Sequence, residues 1–98
     1  MKKILNLLIS LFGSKRVFDN KIEYRNILGQ LHRTDGPAVE YSDGDKFWYI
    51  NGKRHREDGP VVEWNNGDKE WYLNDINYTE DQYHQEIIKI KLKRLKNL

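Results

Sequence analysis

Cysteine is absent from this sequence, proline occurs twice and methionine once. Without cysteine the chain forms neither disulfide bonds nor thiolate metal or redox sites, so a reducing compartment is permitted. Long hydrophobic runs are also missing. The longest mostly apolar stretch, Ile4 to Phe12, has nine residues, whereas a helix that spans a bilayer needs roughly 20. Neither sign of charge dominates, because 17 lysines and arginines oppose 15 aspartates and glutamates, which excludes a strong whole-chain attraction to polyanions.

Aromatic side chains are plentiful by contrast, with three Trp, six Tyr and three Phe in 98 residues. This content argues against disorder, and the length predicts one small domain with a thin core. Charge is segregated along the chain, with a net charge of +4 over residues 1–21, −4 over residues 22–78 and +2 over residues 79–98. The basic ends could contact an acidic partner or the acidic middle of a neighbouring copy, or could be ordinary solvated helix faces.

Residues 1–21 are predicted to form an apolar helix followed by a linker. In a helix, Asn6 and Ser10 would share one narrow polar stripe, and apolar side chains would surround it. Three destinations remain open: packing on the domain or on a second copy, a membrane interface reached through residues 1–14, and a signal peptide, although no small-x-small cleavage site follows. The side chains predicted to contact another copy or a membrane are Ile4, Leu5, Leu8, Leu11 and Phe12.

An internal repeat organises the middle of the chain. Residues 32–54 align with residues 55–77 at an offset of 23, and 13 of the 23 positions are identical. The shared residues form the pattern HRxDGPxVExxxGDKxWYxN. A partial repeat, residues 22–31, precedes them, because Gly29 lies 23 positions before Gly52. The repeat region therefore extends over residues 22–78, and residues 79–98 form a separate C-terminal segment.

Each repeat predicts a β-hairpin. In the first repeat, Ala38–Tyr41 precede the turn Ser42–Asp45, which has Asp-Gly at its centre, and the aromatic strand Lys46–Ile50 follows. The second repeat has Asn66-Gly67 at the same turn, and Asn51-Gly52 supplies a further one. The sequence thus predicts an antiparallel meander of roughly six short strands.

Residues alternate between two faces along the aromatic strands. One face pairs a tryptophan with an aliphatic residue in both repeats, which predicts a buried ladder of Trp48, Ile50, Trp71 and Leu73. The opposite face is the wetter one, because Glu70 stands in the second repeat where Phe47 stands in the first. The candidate partner-binding residues are Phe47, Tyr49, Tyr72, Arg33 and Arg56.

Catalytic and metal-binding roles find little support in the sequence. The triplet His32, Arg33 and Asp35 recurs at the repeat offset, and repetition favours a structural task in the turn over unlike catalytic roles. Three histidines without cysteine make a zinc site improbable. Neither a phosphate-binding loop nor a nucleophile elbow is present. We therefore expect no enzyme activity, no cofactor and no metal. Nucleic acid is an unfavourable partner, because the repeat region is net negative.

The repeated HRxDGP and GDKxWYxN motifs resemble the MORN-variant repeats of small bacterial and bacteriophage proteins, which include antitoxin-type members. The resemblance covers about residues 22–80. It implies a run of β-hairpins that serves as a binding scaffold, and it carries no catalytic residue over to this chain.

The C-terminal segment predicts a basic amphipathic helix. Thr79 and Gln82 form a capping-box pattern, and the five basic residues come late in the segment. The alternation of Ile88 to Lys93 leaves a strand open as an alternative there. The expected fold is α+β and mainly β, a meander of hairpin repeats with a helix at each end.

The expected function is that of a non-enzymatic protein-binding module, a phage or bacterial inhibitor or antitoxin-type protein in the cytoplasm, that covers a partner of unknown identity. The alternative is a peripheral membrane-associated or nucleic-acid-associated protein that uses its basic termini. Because a thin sheet leaves much apolar surface uncovered, we also expect a homo-oligomer, most simply a dimer.

Overall fold

A computed structural model of the chain describes residues 13–98. The predicted N-terminal helix, with Ile4, Leu5, Leu8, Leu11 and Phe12, lies outside the described residues. Within residues 13–98, nine short strands precede one helix: β1 Ser14–Val17, β2 Lys21–Arg25, β3 Val39–Tyr41, β4 Lys46–Phe47, β5 Tyr49–Ile50, β6 Lys53–Arg54, β7 Val62–Glu63, β8 Lys69–Leu73, β9 Ile76–Tyr78 and α1 Glu80–Lys96.

Seven of these strands form one antiparallel sheet in the order β1-β2-β3-β4-β7-β8-β9, and β5 pairs with β6 in a separate hairpin. The prediction of a mainly antiparallel meander with a C-terminal helix is therefore confirmed. Strand β1 was not predicted, because its residues fall in the segment that the sequence predicts to be a linker. All four of its residues are exposed. Only their pairing with β2, in which Lys15 lies opposite Tyr24, makes them a strand.

The aromatic strand of each repeat takes part in two hairpins. In the first repeat, β4 pairs with β3 and β7, whereas β5 pairs with β6. Trp48 stands at the junction, where its N–H donates to the carbonyl of Val61 at 2.8 Å. In the second repeat, β8 passes through the junction unbroken, pairing with β7 at Lys69 and Glu70 and with β9 from Trp71 onward.

The turns after the aromatic strands use left-handed backbone conformations. Asn51 and Gly52 have φ values of 48° and 80°, and Asn74 and Asp75 have values of 50° and 66°. Two consecutive residues with positive φ are typical of a type I′ hairpin turn, which matches the twist of the flanking strands. Asparagine and aspartate tolerate this conformation better than other side chains do, so Asp75 can stand where the first repeat has glycine.

The core of the repeat region consists of small aliphatic residues rather than tryptophan. Ala38 and Val61 are fully buried, and Val39 and Val62 are almost fully buried. These are two pairs at the repeat offset. A short β-branched or methyl side chain fits where successive hairpins come close together, and an indole does not.

The predicted ladder is buried to different degrees. Leu73 is buried, whereas Trp48, Ile50 and Trp71 keep part of their surface in solvent. Leu73 belongs to a second core cluster with Tyr83 and Ile87 of α1, against which Trp71, Tyr78 and Ile90 pack.

Helix α1 begins at the predicted cap. The Thr79 side chain accepts from the N–H of Gln82 at 3.2 Å, and the Gln82 side chain accepts from the N–H of Thr79 at 3.2 Å. Glu80 and Asp81 lie in the first turn and three basic residues lie in the last turn, an arrangement that suits the helix dipole. Residues 88–93 are helical, so the alternative strand is not adopted.

Candidate functional site

The HRxDGP motif forms the same loop in both repeats. In the second repeat, Arg56 Nε donates to Asp58 at 3.0 Å and Arg56 Nη1 donates to the carbonyl of Pro60 at 2.9 Å. Arg33 makes the equivalent bonds to Asp35 and Pro37 at 2.9 and 3.2 Å. Each arginine therefore fastens its own loop, and the hydrogen bond with Arg33 lowers the pKa of the exposed Asp35 carboxyl.

The glycine of this motif makes room for the arginine. A Cβ placed on Gly59 would lie 2.8 Å from Arg56 Cζ, and a Cβ on Gly36 would lie 2.9 Å from Arg33 Cζ. Both distances are too short for a real side chain. In each motif the aspartate accepts a hydrogen bond from the guanidinium, and the glycine that follows leaves room for the guanidinium to lie against the backbone.

The motif arginines also cover the aromatic side chains of the preceding strand. Arg33 lies 4.0 Å from the ring centre of Tyr24, and Arg56 lies 3.8 Å from that of Trp48. These are close cation–π distances. Tyr24, Trp48 and Trp71 form a series of rings along the sheet. The last of them, Trp71, is covered by α1 instead, with its ring centre 4.9 Å from that of Tyr83 and 5.3 Å from that of His84.

Helix α1 thus ends the series by occupying the place where a further motif arginine would lie. Tyr83 also binds the preceding loop, because its hydroxyl donates to the carbonyl of Arg56 and accepts from the N–H of Gly59 at 3.3 Å. Terminal caps of this kind are a general requirement of repeat proteins, whose last unit would otherwise expose its apolar face.

The motif histidines accept a backbone hydrogen bond across the repeat. His32 Nδ1 accepts from the N–H of Asn51 at 2.9 Å, and His55 Nδ1 accepts from the N–H of Asn74 at 3.0 Å. An accepting Nδ1 places the proton of a neutral ring on Nε2. Burial lowers the pKa of His32, which is consistent with a neutral ring that has a structural task.

The two histidines differ at Nε2. His55 Nε2 lies 2.8 Å from Glu57, which also receives two hydrogen bonds from Arg94 of α1 at 2.7 and 3.0 Å. His32 Nε2 is buried and has no partner among the described residues, because exposed Thr34 stands where the second repeat has Glu57. The hydrogen bonds from Arg94 and His55 lower the pKa of Glu57.

An open groove of about 730 Å³ runs between the two motif loops, with Trp48 and Ile50 among its lining residues. Arg33, Arg56 and His55 line it as well, but all three are already bound within the motif. None of the histidines, aspartates and glutamates of residues 13–98 come together in a group of three that could hold a metal ion. The groove presents structural groups, and no nucleophile paired with a base.

The opposite face of the sheet carries an aromatic cluster, which we call the aromatic face. It is centred on Phe47, whose ring lies 5.8 Å from Tyr41 and 5.3 Å from Trp64, both edge to face. The strand register explains the cluster, because Val39, Phe47 and Val62 lie opposite one another in β3, β4 and β7. Tyr41 and Trp64 come two residues after the valines, so they share this face.

Tyr49 and Tyr72 extend the aromatic face along the aromatic strands. Tyr49 lies two residues after Phe47, and Tyr72 lies two after Glu70, which pairs with Val62. Arg54 lies 4.3 Å from the ring centre of Tyr72. Burial raises the pKa of Tyr49. The face is partly open to solvent, with Trp64 37% exposed.

The structure divides the five predicted partner-binding residues between two sides of the sheet. Phe47, Tyr49 and Tyr72 lie on the aromatic face. Arg33 and Arg56 lie on the other side and are used within the loops. Tyr41 and Trp64 are not among the predicted residues, although both are aromatic at the same position of the two repeats, and this shared position is the signal that indicates them.

Neither a protein-family model, nor a curated protein, nor a solved structure matches this chain. Among residues 13–98, the one helix is too short and too polar to cross a membrane.

Proposed function

We propose that this chain is a non-enzymatic protein-binding module of the MORN-variant repeat type, which acts by covering a partner protein with its aromatic face. On this proposal it is an inhibitor or antitoxin-type protein of a bacterium or phage, and it acts in the cytoplasm. The observation that carries the proposal is the cluster of Tyr41, Phe47 and Trp64 on the side of the sheet away from α1.

The composition of this cluster is that of an interface centre. Trp, Tyr and Arg are enriched among the residues that contribute most to protein–protein affinity, and these residues lie at interface centres that lose their water on binding and are surrounded by a polar rim. Here Trp64 Nε1 already donates to Glu70 at 2.7 Å, so its polar atom is satisfied and its ring is available. Lys21 lies 5.8 Å from the ring centre of Tyr41, so charged groups border the cluster.

The repeat scaffold supports this use because Tyr41 and Phe47 lie on paired strands and Trp64 directly follows one. Phe47 and Trp64 belong to neighbouring hairpins whose register is set by the ladder between Lys46 and Glu63. Side chains on a rigid sheet lose less conformational entropy on binding than side chains on a mobile loop. On the other side of the sheet, Arg33 and Arg56 of the groove bind the carboxylates of their own loops, which favours a structural task for these groups.

The experiment compares full-length wild-type chain with Phe47→Ala and Trp64→Ala as baits in host-cell extract. We expect wild type to retain one stoichiometric protein that both variants lose. Leu28→Ala is the matched control, because Leu28 is an exposed apolar residue of a turn, 66% exposed, and it should retain the same protein.

Titration with the purified partner then gives the size of the effect. Loss of a central aromatic residue at an interface weakens binding by roughly 30-fold or more. Circular dichroism of each variant checks the fold, which we expect to be kept because Trp64 is partly exposed. Equal retention of the partner by all four baits, or no stoichiometric partner at all, would contradict the proposal.

A further inference from the structure

Helix α1 has a second apolar stripe that nothing in residues 13–98 covers. Its inner side packs on the sheet through Tyr83 and Ile87. Ile88, Leu92 and Leu95 are 58%, 54% and 63% exposed. Their spacing of four and three residues places them on one line along the helix, and Leu98 beyond the helix end is fully exposed. We call Ile88, Leu92 and Leu95 the outer stripe.

Positive charge surrounds the outer stripe. No acidic residue follows Glu86 in the sequence, so every charged side chain in the last part of the helix is basic. Arg94 is bound to Glu57, and Lys89 bridges Glu86 at 3.1 Å. At 100° per residue, Lys91 falls on one side of the stripe and Lys89 and Lys96 on the other, so lysines border it on both sides.

We propose that the outer stripe and its lysines dock α1 flat on an anionic lipid bilayer. An apolar line bordered by lysines on both sides fits the boundary between headgroups and acyl chains, where the aliphatic residues enter the bilayer and the lysine side chains extend to lipid phosphate and carboxylate. The charge also matches, because each lysine near an anionic leaflet is attracted by it.

Charge selects this partner over a second copy of the chain. Pairing two outer stripes would bring the lysines of both helices together around one apolar contact, and like charges that lie close together repel each other. A nucleic acid would bind the lysines through its phosphates. Its bases would find no aromatic side chain to stack on, because Ile88, Leu92 and Leu95 are aliphatic. An anionic bilayer satisfies the apolar and the basic groups together.

This inference is independent of the proposed protein partner. Helix α1 covers the side of the sheet that carries Trp71 and Leu73, whereas the aromatic face lies on the other side. A chain docked through α1 would therefore present Phe47 and Trp64 away from the bilayer, and one partner would not displace the other.

The test is vesicle flotation with the full-length chain at 100 mM salt. Vesicles contain either phosphatidylcholine alone or phosphatidylcholine with about 30% phosphatidylserine. We expect wild type to float with the anionic vesicles and not with the neutral ones. Ile88→Gln/Leu92→Gln should lose at least tenfold in apparent affinity, because it removes two side chains from the apolar contact. Lys89→Gln/Lys91→Gln/Lys96→Gln should lose roughly 100-fold.

The control is Ile27→Gln/Leu28→Gln, which removes two apolar residues that are 58% and 66% exposed in the turn after β2. It should float as wild type does. All these positions are exposed, and circular dichroism checks that each variant is folded. Flotation that is unchanged in the Ile88/Leu92 variant would overturn the proposal and direct attention to residues 1–14. Absence of wild-type flotation would overturn the proposal as well. So would a wild-type dimer in sedimentation that the Ile88→Gln/Leu92→Gln substitutions dissociate.

Discussion

Tyr83 joins the helix to the repeats, and its removal should show how much the cap stabilises the domain. The side chain is 1% exposed. Its ring packs on Trp71, and its hydroxyl bonds the Arg56 carbonyl and the Gly59 N–H. Two substitutions separate these contributions, since Tyr83→Phe removes the hydroxyl alone and Tyr83→Ala removes the ring as well.

The magnitudes follow from burial. Tyr83→Phe leaves a part-buried carbonyl and a part-buried N–H without their partner, which costs about 1–2 kcal/mol. Tyr83→Ala also opens a cavity against Trp71 and Leu73, so its cost rises to about 3–5 kcal/mol. For a domain of this size, each kcal/mol corresponds to roughly 4–8 °C in Tm. A chain whose whole stability is on the order of 5–10 kcal/mol would thus lose about half of it.

The assay is urea unfolding followed by circular dichroism and by tryptophan fluorescence. Tyr83→Ala should also shift the emission of the folded state to the red, because Trp71 becomes wetter. Tyr72→Phe is the matched control, since the Tyr72 hydroxyl has no hydrogen-bond partner among residues 13–98, and it should stay within about 0.5 kcal/mol of wild type. A Tyr83→Phe variant as stable as Tyr72→Phe would refute the role of the hydroxyl, and an unshifted Tyr83→Ala spectrum would refute the contact with Trp71.

Two further outcomes test the motif loops. Gly59→Ala should cost about 1–3 kcal/mol, because its Cβ would lie 2.8 Å from Arg56 Cζ and would displace the guanidinium. In an Arg56→Ala background the same change should cost much less, and equal costs in thermal denaturation of the two backgrounds would count against this explanation. The second outcome concerns pH. Hydrogen bonds from Arg94 and His55 hold the pKa of Glu57 below its ordinary value of 4.5. The stabilisation that the carboxylate provides is therefore present above about pH 4.5 and is lost as the pH falls through the lower pKa of the folded state. The stability gap between wild type and Glu57→Gln, measured by urea unfolding from pH 6 to pH 3, should therefore narrow below pH 4.5, and a gap that widens would show that the carboxylate is not held by these groups.

The repeat, its hairpins and the helix cap could be predicted from the sequence because each depends on neighbouring residues. Asn51-Gly52 forms its turn through its own backbone conformation, and Thr79 caps α1 by a bond to a residue three positions away. Such signals survive without knowledge of the rest of the fold. Alternation along the strands likewise placed Phe47, Tyr49 and Tyr72 on one face, where the structure also has them.

The tertiary structure alone decided which residues fill the core and which chemical groups are already in use. Burial of Ala38 and Val61 depends on how closely successive hairpins approach, whereas the larger Trp48 and Trp71 keep part of their surface in solvent. Strand β1 exists only because β2 offers an edge for it to pair with.

The role of the motif arginines illustrates the same limit. Arg56 looks like a surface residue available to a partner until the fold places it on Trp48, beside Asp58 and the Pro60 carbonyl. The contact between Tyr83 and Arg56 joins residues 27 positions apart in the chain. Sequence patterns report the secondary structure of a segment and the side of it that is apolar. Contacts between segments depend on where the fold of the whole chain places them. These contacts distinguish the motif arginines, which are already bound, from the aromatic face, which is partly open.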